Sequence, residues 1–327
     1  MAPNIKQLKI LIFAPNWVGD TIMSMPLVRS IRAQFPDSKI ILIARPHLAS
    51  LWQEEAFSDG VWLFDIFNKR TPLSGYIDLA LKIKKIKFDL AIILPHSFRW
   101  ALLVYLLKIP KRVGYAVKGR GFLLTKSLKY KFSDITKKHM IDGYLELVRL
   151  CNIEPSYKEV FLRLSDEISE RSLKILYQYG IGSSESIIAI APGALYGPAK
   201  RWPLEYFASL ADTLAKELNV KIAILGSSNE QELAMEIKEL MQEKAINLTG
   251  QTDLITTAGI IKRSLLLISN DSGLMHLGVA VNTKTIGIFG STSSRWTGPY
   301  GKAISKQRVV CSSLACSPCF KKTCPFR

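Results

Sequence analysis

The sequence predicts an α/β protein built from two doubly wound parallel sheets. Three observations carry that expectation. Short apolar runs alternate with stretches of helical periodicity along most of the chain, the pattern of parallel strands covered by helices on both faces. The alternation pauses near residue 152 and restarts near residue 187. Each half also opens on an apolar strand that runs into Ala-Pro and a loop, Ala14-Pro15-Asn16 in the first and Ala191-Pro192-Gly193 in the second. At 327 residues the chain is long enough for two ordinary domains. They are expected at residues 1–165 and 166–327, with the carboxyl ends of both sheets facing one inter-domain cleft, where ligands of open α/β sheets bind.

In the first half, strands are expected at 8–13, 39–44, 61–64, 90–94 and 112–115. Helices are expected at 20–34, 48–54, 73–84, 98–107 and 138–150. In the first of these, Ile22, Leu27, Ile31 and Phe35 recur at helical spacing. The mixed, polar stretch 152–165 reads as the connection. A helix at 166–179 ends at Gly180. The second half then gives strands at 187–191, 221–225, 265–269 and 285–289, and helices at 203–218, 230–244, 254–262 and 272–281.

Composition narrows the classes. A hydrophobic fraction of 48% fills real cores and excludes a disordered chain. No segment has the ~18 uninterrupted apolar residues of a membrane span; the most apolar region, 91–107, is broken by Pro95, His96 and Arg99. The first residues lead straight into a strand without a signal-peptide core, so a cytosolic protein is expected. The net charge of +17 calls for an anionic partner: nucleic acid, an acidic membrane face or phosphorylated substrates. Basic clusters at 82–87, 108–112, 118–131 and 137–138 all lie in the first half. An odd count of five cysteines argues against a disulfide framework.

Four strand-end loops hold the candidate chemistry. The first, around Asn16, Trp17 and Gly19, joins a strand to a helix beginning near Asp20, which suits a phosphate turn but lacks G-x-G-x-x-G and G-K-[ST]. The better phosphate loop is PGALYGPAKRWP (192–203), with Gly193, Tyr196 and Lys200 close to a helix N-terminus. In NDSGLMHLGVA (270–280), Asp271 or Ser272 can cap a helix, Gly273 admits a ligand to the backbone, and His276 shares that helix face. The loop GSSN (226–229), with Gly226 and Ser228, suits a ribose or base edge. Asp20 is either a helix cap or, if the second domain holds phosphates, a general base for an acceptor hydroxyl; Asn16 and Trp17 then line the acceptor side. No D-x-D, H-E-x-x-H, G-x-S-x-G or S-x-x-K occurs. Leaving-group charge therefore falls to Lys200, Arg201 and helix dipoles, with no metal and no cofactor expected. Cys316-x2-Cys319 followed by Cys324, with Cys311 nearby, is reminiscent of a metal ligand set, but the spacing is irregular and no second C-x2-C exists.

Together PNWVGDTIMSMPLVRSIRAQFP (15–36), PGALYGPAKRWP and NDSGLMHLGVA resemble the lipopolysaccharide core heptosyltransferases, most nearly those that add the second heptose. The likeness spans nearly the whole chain. It implies a GT-B fold of two Rossmann-like domains, the N-terminal one for the lipopolysaccharide acceptor and the C-terminal one for ADP-heptose. It also implies inverting transfer of L-glycero-D-manno-heptose to heptose I of the inner core, without an obligatory metal. By the same likeness Asp20 is the expected base and Lys200 the diphosphate ligand. Asp271, Ser272 and Gly273 are expected to hold sugar and phosphates, and His276 to support that pocket. A peripheral position at the inner face of the inner membrane fits the basic first half, with no nucleic-acid partner. The alternatives are a heptosyltransferase I acting on Kdo2-lipid A, a GT-B sugar-nucleotide epimerase, or a basic nucleic-acid-binding protein, for which no RNP pattern, zinc finger or helix-turn-helix exists.

Overall fold

The computed structural model describes residues 7–54, 57–65, 72–129, 137–300, 305–311 and 313–326. The chain divides into two compact units, Met1–Lys158 and Glu159–Arg327. Residues 159–165, read from the sequence as part of the connection, lie with the second unit, where Leu162 N–H donates to the Ala280 carbonyl at 2.8 Å.

The first unit runs β1 (Lys9–Phe13), α1 (Val18–Gln34), β2 (Lys39–Ala44), α2 (Ala49–Gln53), β3 (Gly60–Leu63), α3 (Pro72–Ile86), β4 (Leu90–Ile93), α4 (Phe98–Leu106), β5 (Lys111–Tyr115), β6 (Lys126–Leu128) and α5 (Met140–Leu150). The strands form one parallel sheet in the order β3-β2-β1-β4-β5-β6. Ile10 to Phe13 are fully buried because β1 is covered on both faces. On one face Leu11, Phe13, Ile41 and Ile93 meet Leu79 and Ile83 of α3 and Trp100 and Val104 of α4. α1 packs against α5.

The second unit runs α6 (Asp166–Gln178), β7 (Ile187–Ala191), α7 (Leu204–Leu218), β8 (Lys221–Ile224), α8 (Gln231–Leu240), β9 (Ala245–Asn247), α9 (Leu254–Arg263), β10 (Leu266–Asn270), α10 (Gly273–Ala280), β11 (Thr285–Phe289), α11 (Ser294–Thr297) and β12 (Gln307–Cys311). Its parallel sheet repeats the first, β9-β8-β7-β10-β11-β12. Ile188, Ile190, Ile222 and Ile224 pack beneath Phe207 and Ala211 of α7 and Ile237 of α8. On the other side α6 lies on α9 so closely that a Cβ on Gly259 would sit 2.0 Å from Ser172 Oγ.

Three edge strands, β6, β9 and β12, and the short α11 have no counterpart in the sequence reading. The expected helix at 230–244 ends at Leu240 because the chain turns there into β9. Ser165 caps α6 by accepting from Ile168 N–H at 3.4 Å, and Gly180 leaves that helix at φ +79. In each sheet the order reverses between the first and fourth strands, β1/β4 and β7/β10. The crevice outside those carboxyl ends is the site such a sheet offers a ligand.

Candidate active site

In the first unit, the chain leaves β1 through Ala14, whose N–H bonds to the Ile43 carbonyl at 2.9 Å. α1 begins at Val18, two residues earlier than its sequence suggests. Trp17 occupies the N-cap position in extended conformation, and its carbonyl accepts from Thr21 N–H. This corrects two expectations. Gly19 is buried in the first helical turn and is not part of the loop, and Asp20 lies inside that turn, so it is not the cap. Asp20 is half-buried, near the free amides and positive end of α1. Asn16 and Trp17 are exposed; Asn16 Oδ1 accepts from Arg45 Nε at 3.3 Å. A groove beside them is lined by Phe13, Asn16, Arg45, Phe64 and Trp100.

The loops after β4 and β5 are tied by Arg120, a fully buried side chain that sequence reading did not single out. It donates to the carbonyls of Tyr115 (2.8 Å), Pro95 (2.6 Å) and Ser97 (2.9 Å). Burial pulls its guanidinium down to about 10. Neighbouring His96 is held near pKa 4, first by desolvation and then by the Arg120 and Lys118 cations, so it is neutral at physiological pH.

In the second unit, Lys200 and Asp271 come together across 71 positions of sequence. Lys200 Nζ donates to Asp271 Oδ2 at 2.6 Å and to the Asp271 carbonyl at 3.2 Å. Asp271 is only 2% exposed. Its Oδ2 also accepts from Thr292 Oγ1 at 2.5 Å. Asp271 is therefore not the cap of α10; its carboxylate is spent on lysine and threonine. Ser272 takes the N-cap position in extended conformation but makes no side-chain cap bond; its Oγ lies 3.1 Å from Ser269 Oγ. The first amides of α10, from Gly273 on, are thus left for an anion. His276 is buried within α10.

Asn270, at the last position of β10, braces the loop 192–203 at both ends. Its Nδ2 donates to the Pro192 carbonyl at 2.6 Å and its Oδ1 accepts from Trp202 N–H at 3.0 Å. The segment 317–322 grips the same loop from outside. Tyr196 OH donates to the Phe320 carbonyl at 2.7 Å and Ala199 N–H to the Lys322 carbonyl at 3.0 Å, while Phe320 N–H anchors the segment to the Ser291 carbonyl at 2.7 Å, in the loop after β11. Gly197 permits this approach, because a Cβ there would lie 2.5 Å from the Lys322 carbonyl oxygen. The ammonium of Lys200 stands 5.2 Å from the Tyr196 ring centroid.

Gly193 and Gly226 are joined by Glu230, which sequence reading missed. Glu230 closes a capping box with Ser227, accepting from Ser227 N–H at 2.7 Å and Oγ at 2.8 Å. The signal was present as S-x-x-E at 227–230. Ser228 is exposed at the start of that turn and rests on Gly250. A Cβ on Gly193 would fall 1.8 Å from Glu230 Oε1, so Gly193→Ala is expected to displace the carboxylate and cost about 1 kcal/mol of stability by denaturant titration. The double variant Gly193→Ala, Glu230→Ala should then cost no more than Glu230→Ala alone; full additivity would show that the two do not meet.

Among the described residues no group of three or more His, Cys, Asp or Glu side chains is placed to hold a metal. Cys311, Cys316, Cys319 and Cys324 are free thiols, with Cys311 Sγ 3.5 Å from Ser294 Oγ.

Residues 77–327 match the family described as glycosyltransferase family 9 (heptosyltransferase). The chain is 31% identical to lipooligosaccharide heptosyltransferase 2 of Haemophilus ducreyi, over 93% of this chain and 88% of that one. It is 29% identical to lipopolysaccharide heptosyltransferase 2 of Escherichia coli, over the same shares. Among solved structures it resembles the E. coli ADP-heptose lps heptosyltransferase II, with a TM-score of 0.79 and 26% identity over 93% of this chain and 90% of that one. The fold also matches a glycosyl transferase family 9 structure from Veillonella parvula, TM-score 0.84 at 23% identity, covering 93% and 86% of the two chains.

Proposed function

The chain belongs to glycosyltransferase family 9, and on that premise we propose that it moves L-glycero-D-manno-heptose from ADP-heptose to the first heptose of the lipopolysaccharide inner core, with inversion. The observation that carries the reading is the Lys200–Asp271 pair beside the open amides of α10, at the switch point of the second sheet. A cation and a helix N-terminus together suit a diphosphate leaving group. The relatives named heptosyltransferase 2 support the choice of acceptor.

In this reading Asp20 accepts the proton of the acceptor hydroxyl as its oxygen attacks the anomeric carbon. The bond from that carbon to the diphosphate oxygen breaks, and ADP departs with the electron pair. Lys200 and the amides from Gly273 on neutralise the departing charge, while Ser272 and the backbone of Gly193 line the diphosphate. Glu230, between Gly193 and Gly226, accepts hydrogen bonds from ribose hydroxyls, and Asn16 and Trp17 contact the acceptor. His276 holds α10 in place from its buried side. The enzyme works at the cytoplasmic face of the inner membrane, where a lipid-borne acceptor lies.

The deciding experiment supplies ADP-heptose with Kdo2-lipid A that does or does not already carry one heptose. Transfer is expected only to the acceptor bearing heptose. Use of the heptose-free acceptor alone would assign the first step instead, and transfer to neither would overturn the reading.

A further inference from the structure

Helix α4 is apolar on both sides. Trp100, Ala101 and Val104 point into the core. The opposite face presents Phe98 (39% exposed), Leu102 (36%), Tyr105 (46%) and Leu106 (65%) at helical spacing. Phe122, 75% exposed, extends the face: its ring lies 6.4 Å from that of Phe98. Isolated exposed apolar side chains are ordinary, but a contiguous row of this kind marks an interaction surface.

The surrounding charge says what it meets. Residues 90–129 contain eight lysines and arginines and no aspartate or glutamate. Arg99, Lys108, Lys111 and Lys118 are exposed around the apolar row. Arg112 fixes the patch as one piece, donating to the carbonyls of Ile109 (2.6 Å) and Leu123 (2.8 Å) with its guanidinium 5.4 Å from the Tyr105 ring centroid.

We propose that the outer face of α4, with Phe122, is the surface by which the protein seats itself on an anionic lipid bilayer. Aliphatic and aromatic side chains enter the acyl boundary, and the lysines and arginines beside them meet lipid phosphates. A second copy fits less well, because a symmetric contact would bring the same cations against each other. A nucleic acid would leave Leu102 and Leu106 without a partner. The purpose of this docking rests on the proposed lipid-borne acceptor; the docking itself is measured without it.

The test is co-sedimentation of the full chain with phosphatidylethanolamine–phosphatidylglycerol vesicles and with phosphatidylcholine vesicles. The protein should partition onto the anionic vesicles and far less onto the neutral ones. Leu106→Ser with Phe122→Ser should lower partitioning about tenfold or more, and Lys108→Glu with Lys118→Glu should do the same. Both pairs are exposed, and both variants should keep wild-type transfer to a deacylated, water-soluble acceptor. Wild-type partitioning by either variant, or equal binding to both vesicle types, overturns the proposal. So does self-association without lipid that the serine pair abolishes. Loss of transfer by the wild-type protein with intact vesicle binding would refute the heptosyl reading and leave the docking surface standing.

Discussion

Replacing Asp20 by asparagine is expected to slow heptose transfer about a thousandfold while ADP binding stays at the wild-type level. The magnitude is that of a lost general base. Asparagine keeps the shape of the side chain but cannot take the acceptor proton. Asp20 sits in the first turn of α1, and the N-cap position belongs to Trp17, so the substitution removes no cap. The substitution also weakens the attraction between the carboxylate and the positive end of the helix, worth about 0.5 kcal/mol. Donor affinity should hold while the rate collapses. Single-turnover rates with donor and acceptor saturating make the measurement, and a rate within a few-fold of wild type would remove Asp20 from the chemistry.

Lys200→Met should do damage of a different kind. Methionine spans a similar length but leaves the Asp271 carboxylate, 2% exposed, with hydroxyl partners such as Thr292 and no cation. Breaking one side of a buried ion pair costs about 3 kcal/mol or more. The same change removes the cation proposed to meet the donor diphosphate, so ADP binding should weaken about a hundredfold. Adding Asp271→Asn separates these effects. The double variant should regain most of the lost stability in a urea titration, because no buried charge remains unpaired, yet bind ADP no better. Recovery of ADP binding along with stability would mean that Lys200 serves only the fold.

The buried strands were legible because a parallel strand covered on both faces is a continuous apolar run: the predicted bounds of β2, β7 and β11 coincide with those in the structure. The edge strands KSL, AIN and QRVVC were not, because they are short or half-exposed and carry no such run. The start of α1 falls two residues before the expected one because Gly19, grouped with the loop, belongs to the helix, and Trp17 takes the N-cap position. At the site, Lys200 and Asp271 each stood out as strand-end residues. Their pairing did not, because nothing local in sequence joins positions 71 apart. Thr292 follows the same strand-end logic, after β11, in a loop of small polar residues that gave no other signal. Arg120 resembled one more member of a basic cluster, since burial among three carbonyls leaves no mark on neighbouring residues.

The grip of segment 317–322 on the loop 192–203 has a consequence for the nascent chain. Tyr196 and the Phe320 carbonyl that holds it are 124 positions apart. At ordinary elongation rates the ribosome needs on the order of ten seconds to travel that distance. For that interval β7 and its loop are already made, but the outer half of the loop's hydrogen bonding has no partner. The loop at 192–203 therefore acquires its final shape only after residue 322 has been made, and a ribosome stalled short of residue 317 holds a chain in which that loop is still unclasped.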